Sequence, residues 1–291
     1  MAATATTIMG ITTMITIMLM TTGTTTMVMI TTITITTITG RDIAIPMTEP
    51  LPAFAVAGVA DDPLAIAALQ RLLAWLSPAF PVGAYTYSHG LEWAIEDGTV
   101  GDPASLRTWI GDVLCHGGGR TDAILFAAAW RAAAAGDHAG LAEVAELAVA
   151  IQPSRERHLE ITAQGRAFLD TVTASWPSER LKVLAALFPT GTPVAYPAAV
   201  ALAAAAADVP LKPALAAFAG AFVANLVSAG VRAIPVGQTD GQRIIAALAP
   251  AVEEVARLAE TASLDDLGGA ALRADIASMK HETQYTRLFR S

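Results

Sequence analysis

The stretch Tyr196–Ala207 is almost wholly alanine, and Leu215–Val231, which soon follows it, carries no charge at all. Alanine is the strongest helix former and is poorly suited to a pleated surface. This half of the chain is therefore expected to be helical. A helix that is apolar all round belongs at the centre of a bundle, and the small residues Gly220, Ser228 and Gly230 would let its neighbours approach closely. The uncharged run is also long enough to suggest a membrane span. Pro213 and Asn225 interrupt it and leucine is sparse, which favours a buried bundle helix. A membrane-embedded helical protein is the alternative, and it predicts detergent dependence once residues 1–46 are removed.

Helical punctuation runs through the rest of the chain. Asp62 is expected to cap a helix with Pro63 at its first position, with Leu64, Leu69, Leu72, Leu73 and Leu76 on its apolar face and Ser77-Pro78 ending it. Asp102-Pro103 opens a helix that stops at Gly117-Gly118-Gly119, and Thr121 or Asp122 starts the next, which runs to Gly136. Further helices are expected over Leu141–Ile151, Ser154–Trp176, Ser178–Phe188 and Gly241–Thr261, the last capped by Thr239 or Asp240. No stretch sustains a period-two alternation bounded by turns. The expected class is all-α: one bundle-like domain of about ten helices over residues 61–267, a flexible lead over 47–60, and a flexible C-terminal tail over 268–291.

The charge balance narrows the function. Asp and Glu outnumber Lys and Arg by 26 to 18, for a net charge of -8, and no basic cluster lies outside the tail, so nucleic acid is a poor partner. The single cysteine, Cys115, rules out an internal disulfide framework and fits a reducing, cytoplasmic setting.

Residues 1–40 are chemically foreign to the rest, being almost entirely Thr, Ile and Met with no charge. Neither a signal peptide nor a membrane span fits, because no basic residues precede the run. Thr, Ile and Met codons begin with AC or AT, which is what His and Asp codons become when read one base late. We read residues 1–46 as a non-native low-complexity segment, a histidine-rich upstream tract translated out of frame, with the native start at Met47.

Two stretches stand out as functional. The first is the tail, where Lys280, His281, Arg287 and Arg290 surround Tyr285, Leu288 and Phe289 in a chain otherwise rich in alanine and acid. Arginine with aromatics is the composition of an interface anchor. The second runs from Ser77 to Trp93. There Pro78, Pro81 and Gly83 fix a stiff turn, and Tyr85 and Tyr87 are expected in extended chain before Ser88 caps a helix. Such a loop suits either a binding surface or a packing corner. An enzyme built on Tyr85–Glu92 would need a concave polar pocket beneath the loop.

Self-contained chemistry is otherwise missing from the pattern. Ser88 and His89 are adjacent rather than convergent, and no nucleophile-elbow glycines flank the serine. The five histidines lack ligand spacing, with His89 and Glu92 the only i, i+3 pair near the loop. None of Lys182, Lys212 and Lys280 follows a glycine, so there is no phosphate-cradling Gly-Lys-Ser/Thr loop.

Three segments together closely resemble the urease accessory protein family UreF: Ser77–Trp93, Ala224–Arg232 with Gly237–Gln242, and His281–Ser291. The likeness runs from about Leu69 to Ser291 in order and spacing, and leaves out residues 1–60. It implies a non-catalytic, all-α homodimer that bridges UreD (also called UreH) and the GTPase UreG on the urease apoprotein, coupling GTP hydrolysis to nickel insertion. On that resemblance GTP is held by UreG and no cofactor is stably bound here. The partner-binding residues are expected to be Tyr85, Tyr87, His89, Glu92, Gln238, Asp240, His281, Glu282, Tyr285, Arg287, Leu288, Phe289 and Arg290. For Gln238 and Asp240 a helix start is an equally sufficient reason. His89 stands where many members carry Gln, and Ala84 where they carry Ser. His89 is thus the one candidate to meet nickel in transit, with a neutral hydrogen-bonding role as the plainer reading. The nickel chaperone UreE often carries a histidine-rich tail and is often encoded just upstream, which suits the frame-shift reading.

Overall fold

A computed structural model describes residues Thr13–Thr22, Thr25–Thr34 and 63–291. The first two segments are strands β1 and β2, paired antiparallel from Thr13 opposite Thr34 to Thr22 opposite Thr25. The absence of period-two alternation did not predict this hairpin, whose segments are rich instead in the β-branched Thr and Ile that favour strands. The hairpin belongs to a compact unit separate from the helical one that begins at Leu64. The expected cap Asp62, the lead 47–60 and most of the low-complexity calls lie outside the described residues.

The second unit is all-α, as the alanine runs require. Its helices are α1 (Pro63–Trp75), α2 (Leu91–Glu96), α3 (Pro103–His116), α4 (Gly118–Ala135), α5 (His138–Ala150), α6 (Arg155–Ser175), α7 (Glu179–Ala185), α8 (Tyr196–Ala206), α9 (Leu211–Ala233), α10 (Gln238–Thr261) and α11 (Leu272–His281). Several caps fall where the sequence puts them. Asp102 and Ser105 form a reciprocal capping box at α3, while Ser154 and Ser178 accept from the third residues of α6 and α7.

The alanine helix α8 is buried from Pro197 to Ala206 and lies between α4 and α6. Its small side chains permit a very close neighbour. A Cβ on Gly165 of α6 would stand 2.0 Å from the carbonyl oxygen of Val194, just before α8. Five aromatic residues form one chain of contacts through this core, from Trp75 to Phe168 (6.2 Å between ring centroids), then Tyr196 (5.8 Å), Phe218 (5.8 Å) and Phe126 (5.0 Å). Each such ring removes roughly 150–250 Å2 from water, so a handful anchors the bundle.

Helix α9 is the one helix among the described residues long and apolar enough to cross a membrane, with a mean hydropathy of 1.8 over its most apolar window. It packs on α10, α3 and α4 instead, burying Leu215, Phe218, Val223, Leu226 and Val227. Pro213 does not interrupt it but sits in its first turn, where no amide hydrogen is needed. Arginines close other helix ends: Arg131 donates to the carbonyls of Ala259, Glu260 and Ala262 at the end of α10, and Arg180 to those of Ala133 and Ala134 at the end of α4.

Four expectations are corrected. Leu69 and Leu73 of α1 are exposed, at 58% and 68%, because Ala68, Leu72 and Trp75 form its buried face. Helix α4 begins at Gly118, so Asp122 lies inside it rather than capping it. Helix α10 is capped by Gly237, and neither Thr239 nor Asp240 serves. The chain after Gly269 is no free tail: it forms α11 and then folds back over the domain, burying His281, Phe289 and Ser291.

Candidate functional site: a buried ionic cluster under a C-terminal strap

The first two turns of α6 carry Glu156, Arg157 and Glu160, all buried. Arg157, Glu160 and Gln164 follow one another at steps of three and four residues, which puts them on the same inward-turned helical face as Ile161. Arg157 Nη1 lies 2.7 Å from Glu160 Oε2, and its Nη2 lies 3.8 Å from Asp122 Oδ2 of α4. Burial alone would raise the Glu160 carboxyl, but Arg157 and His89 outweigh it and hold it down to about 2. Asp122 goes the other way, because burial dominates over the more distant Arg157 and pushes it up to about 7.

The loop between α1 and α2 supplies His89. The chain forms a short 3-10 turn over Ala84–Thr86 rather than the extended run expected, and His89 and Gly90 are consecutively left-handed, with φ of 57° and 75°. Gly90 is required there twice over, since a Cβ would stand 2.6 Å from the amide nitrogen of Ser278 in α11. Gly90 rather than Ser88 occupies the cap position of α2, but the Ser88 hydroxyl still accepts from the Glu92 amide in the first turn at 3.3 Å. His89 Nδ1 comes within 2.7 Å of Glu160 Oε1, close enough for an ion pair but off the line of a hydrogen bond. Its ring stands edge-on to Phe222, and burial, with Arg157 adding to it, pushes its pKa below the ordinary value.

The strap Glu282–Ser291 closes over these groups. Both nitrogens of the wholly buried His281 face carboxylates, Nδ1 with Glu156 Oε2 at 2.5 Å and Nε2 with Glu92 Oε2 at 2.9 Å. Glu92 also accepts from the amides of Leu288 at 2.5 Å and Phe289 at 2.8 Å. Arg287 pairs with Glu156 Oε1 at 2.7 Å, and Glu282 caps α6 by accepting from the Arg155 amide at 2.8 Å. Ser278 and Ser154 join through their hydroxyls at 2.5 Å. The amide of Arg290 donates to Thr86 at 2.7 Å, the amide of Ser88 to the carbonyl of Ser291 at 2.9 Å, and the Ser291 hydroxyl to Glu160 at 2.6 Å. Phe289 is buried with the Arg232 guanidinium 4.6 Å above its ring.

The expected site residues thus divide. His89, Glu92, His281, Glu282, Arg287 and Phe289 converge on one cluster, with Tyr87 buried close by in the loop. Tyr285, at 102% exposure, Leu288, at 65%, and Arg290 point outward from the pinned strap. Tyr85 is exposed as well, whereas Gln238 and Asp240 sit at the start of α10, Asp240 pairing locally with Arg243 at 2.7 Å. The sequence reading missed Asp122, Glu156, Arg157 and Glu160. Among the described residues no three His, Cys, Asp or Glu side chains are grouped to hold a metal ion.

A cavity of about 150 Å3 lies beneath the loop, lined by Tyr85, His89, Asp122, Glu160, Tyr196 and Asn225 among others. An enzyme built on the loop would need a concave polar pocket, but this one is lined largely by apolar side chains such as Leu76, Val82, Ile161, Phe218 and Phe222, and it is smaller than the roughly 300–1,000 Å3 of ordinary ligand sites. Its charged groups are also already spent on one another. Cargo chemistry is thus less well served here than a fold that holds a strap in a fixed shape.

A family model, UreF, matches residues 100–249. The urease accessory protein UreF of Rhodopseudomonas palustris (strain HaA2) is 57% identical over 225 residues, covering 77% of this chain and 94% of that protein. Those of Xanthobacter autotrophicus (56% over 235 residues, 81% and 96%) and Methylobacterium radiotolerans (54% over 221 residues, 76% and 96%) are comparably similar. The chain belongs to the UreF family. Ser77–Trp93 and His281–Ser291, two of the segments that resemble UreF, close on each other around Glu92 and Glu160.

Proposed function

We propose that this UreF-family chain is a urease maturation factor that works as a non-catalytic scaffold, joining UreD/UreH and the GTPase UreG on the urease apoprotein so that GTP hydrolysis is coupled to nickel insertion. The observation that carries the reading is the strap itself. Its backbone is pinned by the partly buried Glu92 carboxylate and Phe289 is buried, while Tyr285 and Leu288 are held out in water. Large apolar side chains fixed in the open are what an interface anchor requires, because little ordering entropy remains to be lost on docking. Nickel and GTP are cargo and partner ligand in this reading, and a cytoplasmic homodimer is the form expected to act.

The test is co-purification of the chain with UreD/UreH and UreG, beside Y285A/L288A, scored by size exclusion and by activation of apo-urease. Both substituted side chains are exposed, so the variant should keep the wild-type melting temperature. Loss of the complex and of activation supports the scaffold. Undiminished assembly and activation by the variant would remove the strap from the interface.

A further inference from the structure

The far end of α6 borders a second set of polar groups, and these are unmet. Arg71 and Trp75 stand four residues apart on α1, which places them on one face of that helix. Arg71 is half-buried and has no carboxylate or hydrogen-bond acceptor among the described residues. Trp75 is 2% exposed, and its indole Nε1 has no partner either. Its ring stands edge-on to Trp176 at 5.9 Å; two residues further on, the Ser178 hydroxyl accepts from the Leu181 amide at 3.1 Å and gives its own proton to no described group. A buried donor left unpaired costs roughly 1–3 kcal/mol, so a site that keeps one calls for a reason.

Another part of the same wall has the opposite lack. Helix α8 ends there, and the carbonyls of Ala206 and Ala207 accept no hydrogen bond among the described residues. The residue placed to return an amide proton to Ala206 is Pro210, which has none. Asp208, which follows, is committed to Arg180 at 2.8 Å. The cavity between these groups is about 280 Å3, at the lower edge of the range for ligand sites. It is remote from the strap, because Trp176 lies beyond Glu160 by about 24 Å along α6 at 1.5 Å per residue.

We propose that this cavity binds the head group of a free α-amino acid, with its carboxylate on the Arg71 guanidinium and the Trp75 N–H, its ammonium on the carbonyls of Ala206 and Ala207, and its side chain against Trp176. An anion alone would meet the negative end of α8, and a cation alone would meet Arg71. A zwitterion satisfies both walls. The planar fork of Arg71 suits a carboxylate, which it can hold by two parallel bonds. Trp176, at 37% exposure, leaves an aromatic surface for the substituent on the ligand's Cα. The site is independent of the strap's part in assembly.

Indole N–H correlation NMR of the full chain, isotope-labelled at tryptophan and titrated with L-alanine, acetate and methylammonium, tests the proposal, the Trp75 signal being assigned by its loss in W75F. The expected result is saturable movement of that signal with L-alanine, at an affinity at least about tenfold above that for either fragment, and loss of the response in R71A. Arg71 leaves no partner stranded, so R71A should keep the wild-type melting temperature. No movement with L-alanine overturns the proposal. Equal affinity for acetate or for methylammonium also overturns it, because one of the two walls would then contribute nothing. So does an R71A chain that binds L-alanine as the wild type does.

Discussion

His281 Nδ1 lies 2.5 Å from Glu156 Oε2, joining the last turn of α11 to the first turn of α6 across a site with no exposed surface on the histidine. The opposite nitrogen meets Glu92, so the ring separates two carboxylates that would otherwise face each other. Replacing it leaves each carboxylate one partner short, with Glu156 keeping Arg287 and Glu92 keeping the amides of Leu288 and Phe289. H281A should cost about 1–3 kcal/mol, the range for leaving a buried hydrogen-bonding group without its partner, read as a fall in the urea midpoint, whereas R287A, on a half-exposed pair, should cost under about 1 kcal/mol.

Asp122 and Glu160 give stability a two-sided pH dependence. Asp122 is raised from 3.8 to about 7, so the folded state holds its proton more tightly than the unfolded state does. Its contribution is complete below about pH 4 and is lost as pH rises to about 7. Glu160 is lowered from 4.5 to about 2, so its contribution is present above pH 4.5 and lost as pH falls to about 2. Denaturant midpoints measured across pH should show D122N losing the decline between pH 4 and 7 and keeping the acid-side loss.

Two glycine substitutions should have opposite signs. G165A forces a Cβ to within 2.0 Å of the Val194 carbonyl, backbone that cannot yield cheaply, and should cost at least about 3 kcal/mol or prevent folding. G220A, inside α9 with nothing within 4 Å of the new Cβ, should stabilise by about 0.5–1 kcal/mol through helix propensity and a less flexible unfolded chain. Thermal melts of the two variants against wild type check both.

Tyr285 should be silent in stability. With its side chain fully in solvent, Y285A should shift the unfolding free energy by less than about 0.5 kcal/mol, while weakening assembly with UreD/UreH at least about tenfold if Tyr285 is an interface hot spot.

Where a single residue type fixes backbone geometry, the fold could be read from the chain. Asp102, Ser154 and Ser178 each marked a helix start because each supplies a cap, and Tyr196–Ala207 could only be a buried helix. The cluster was harder to see, since a run such as Arg155-Glu156-Arg157 looks like a solvated helix end. The signal was present in the spacing: Arg157, Glu160 and Gln164 occupy the stripe that Ile161 and Phe168 continue, so they had to point inward. The strap was legible as special but not as docked. Its partners Glu92, Glu156 and Glu160 lie 131 to 197 residues away, and one sequence does not reveal pairs at that range.

Those separations bear on the order in which the domain can form. On a ribosome, Glu92 and Glu156 emerge long before His281 and Arg287, so the nascent bundle carries these two carboxylates without their later partners, while Arg157 already compensates Glu160. Closing loops of 125 to 203 residues comes late and is slow. The newly made protein therefore passes through a stage in which the strap is not yet docked, and a partner already at hand would meet that form before the closed one exists.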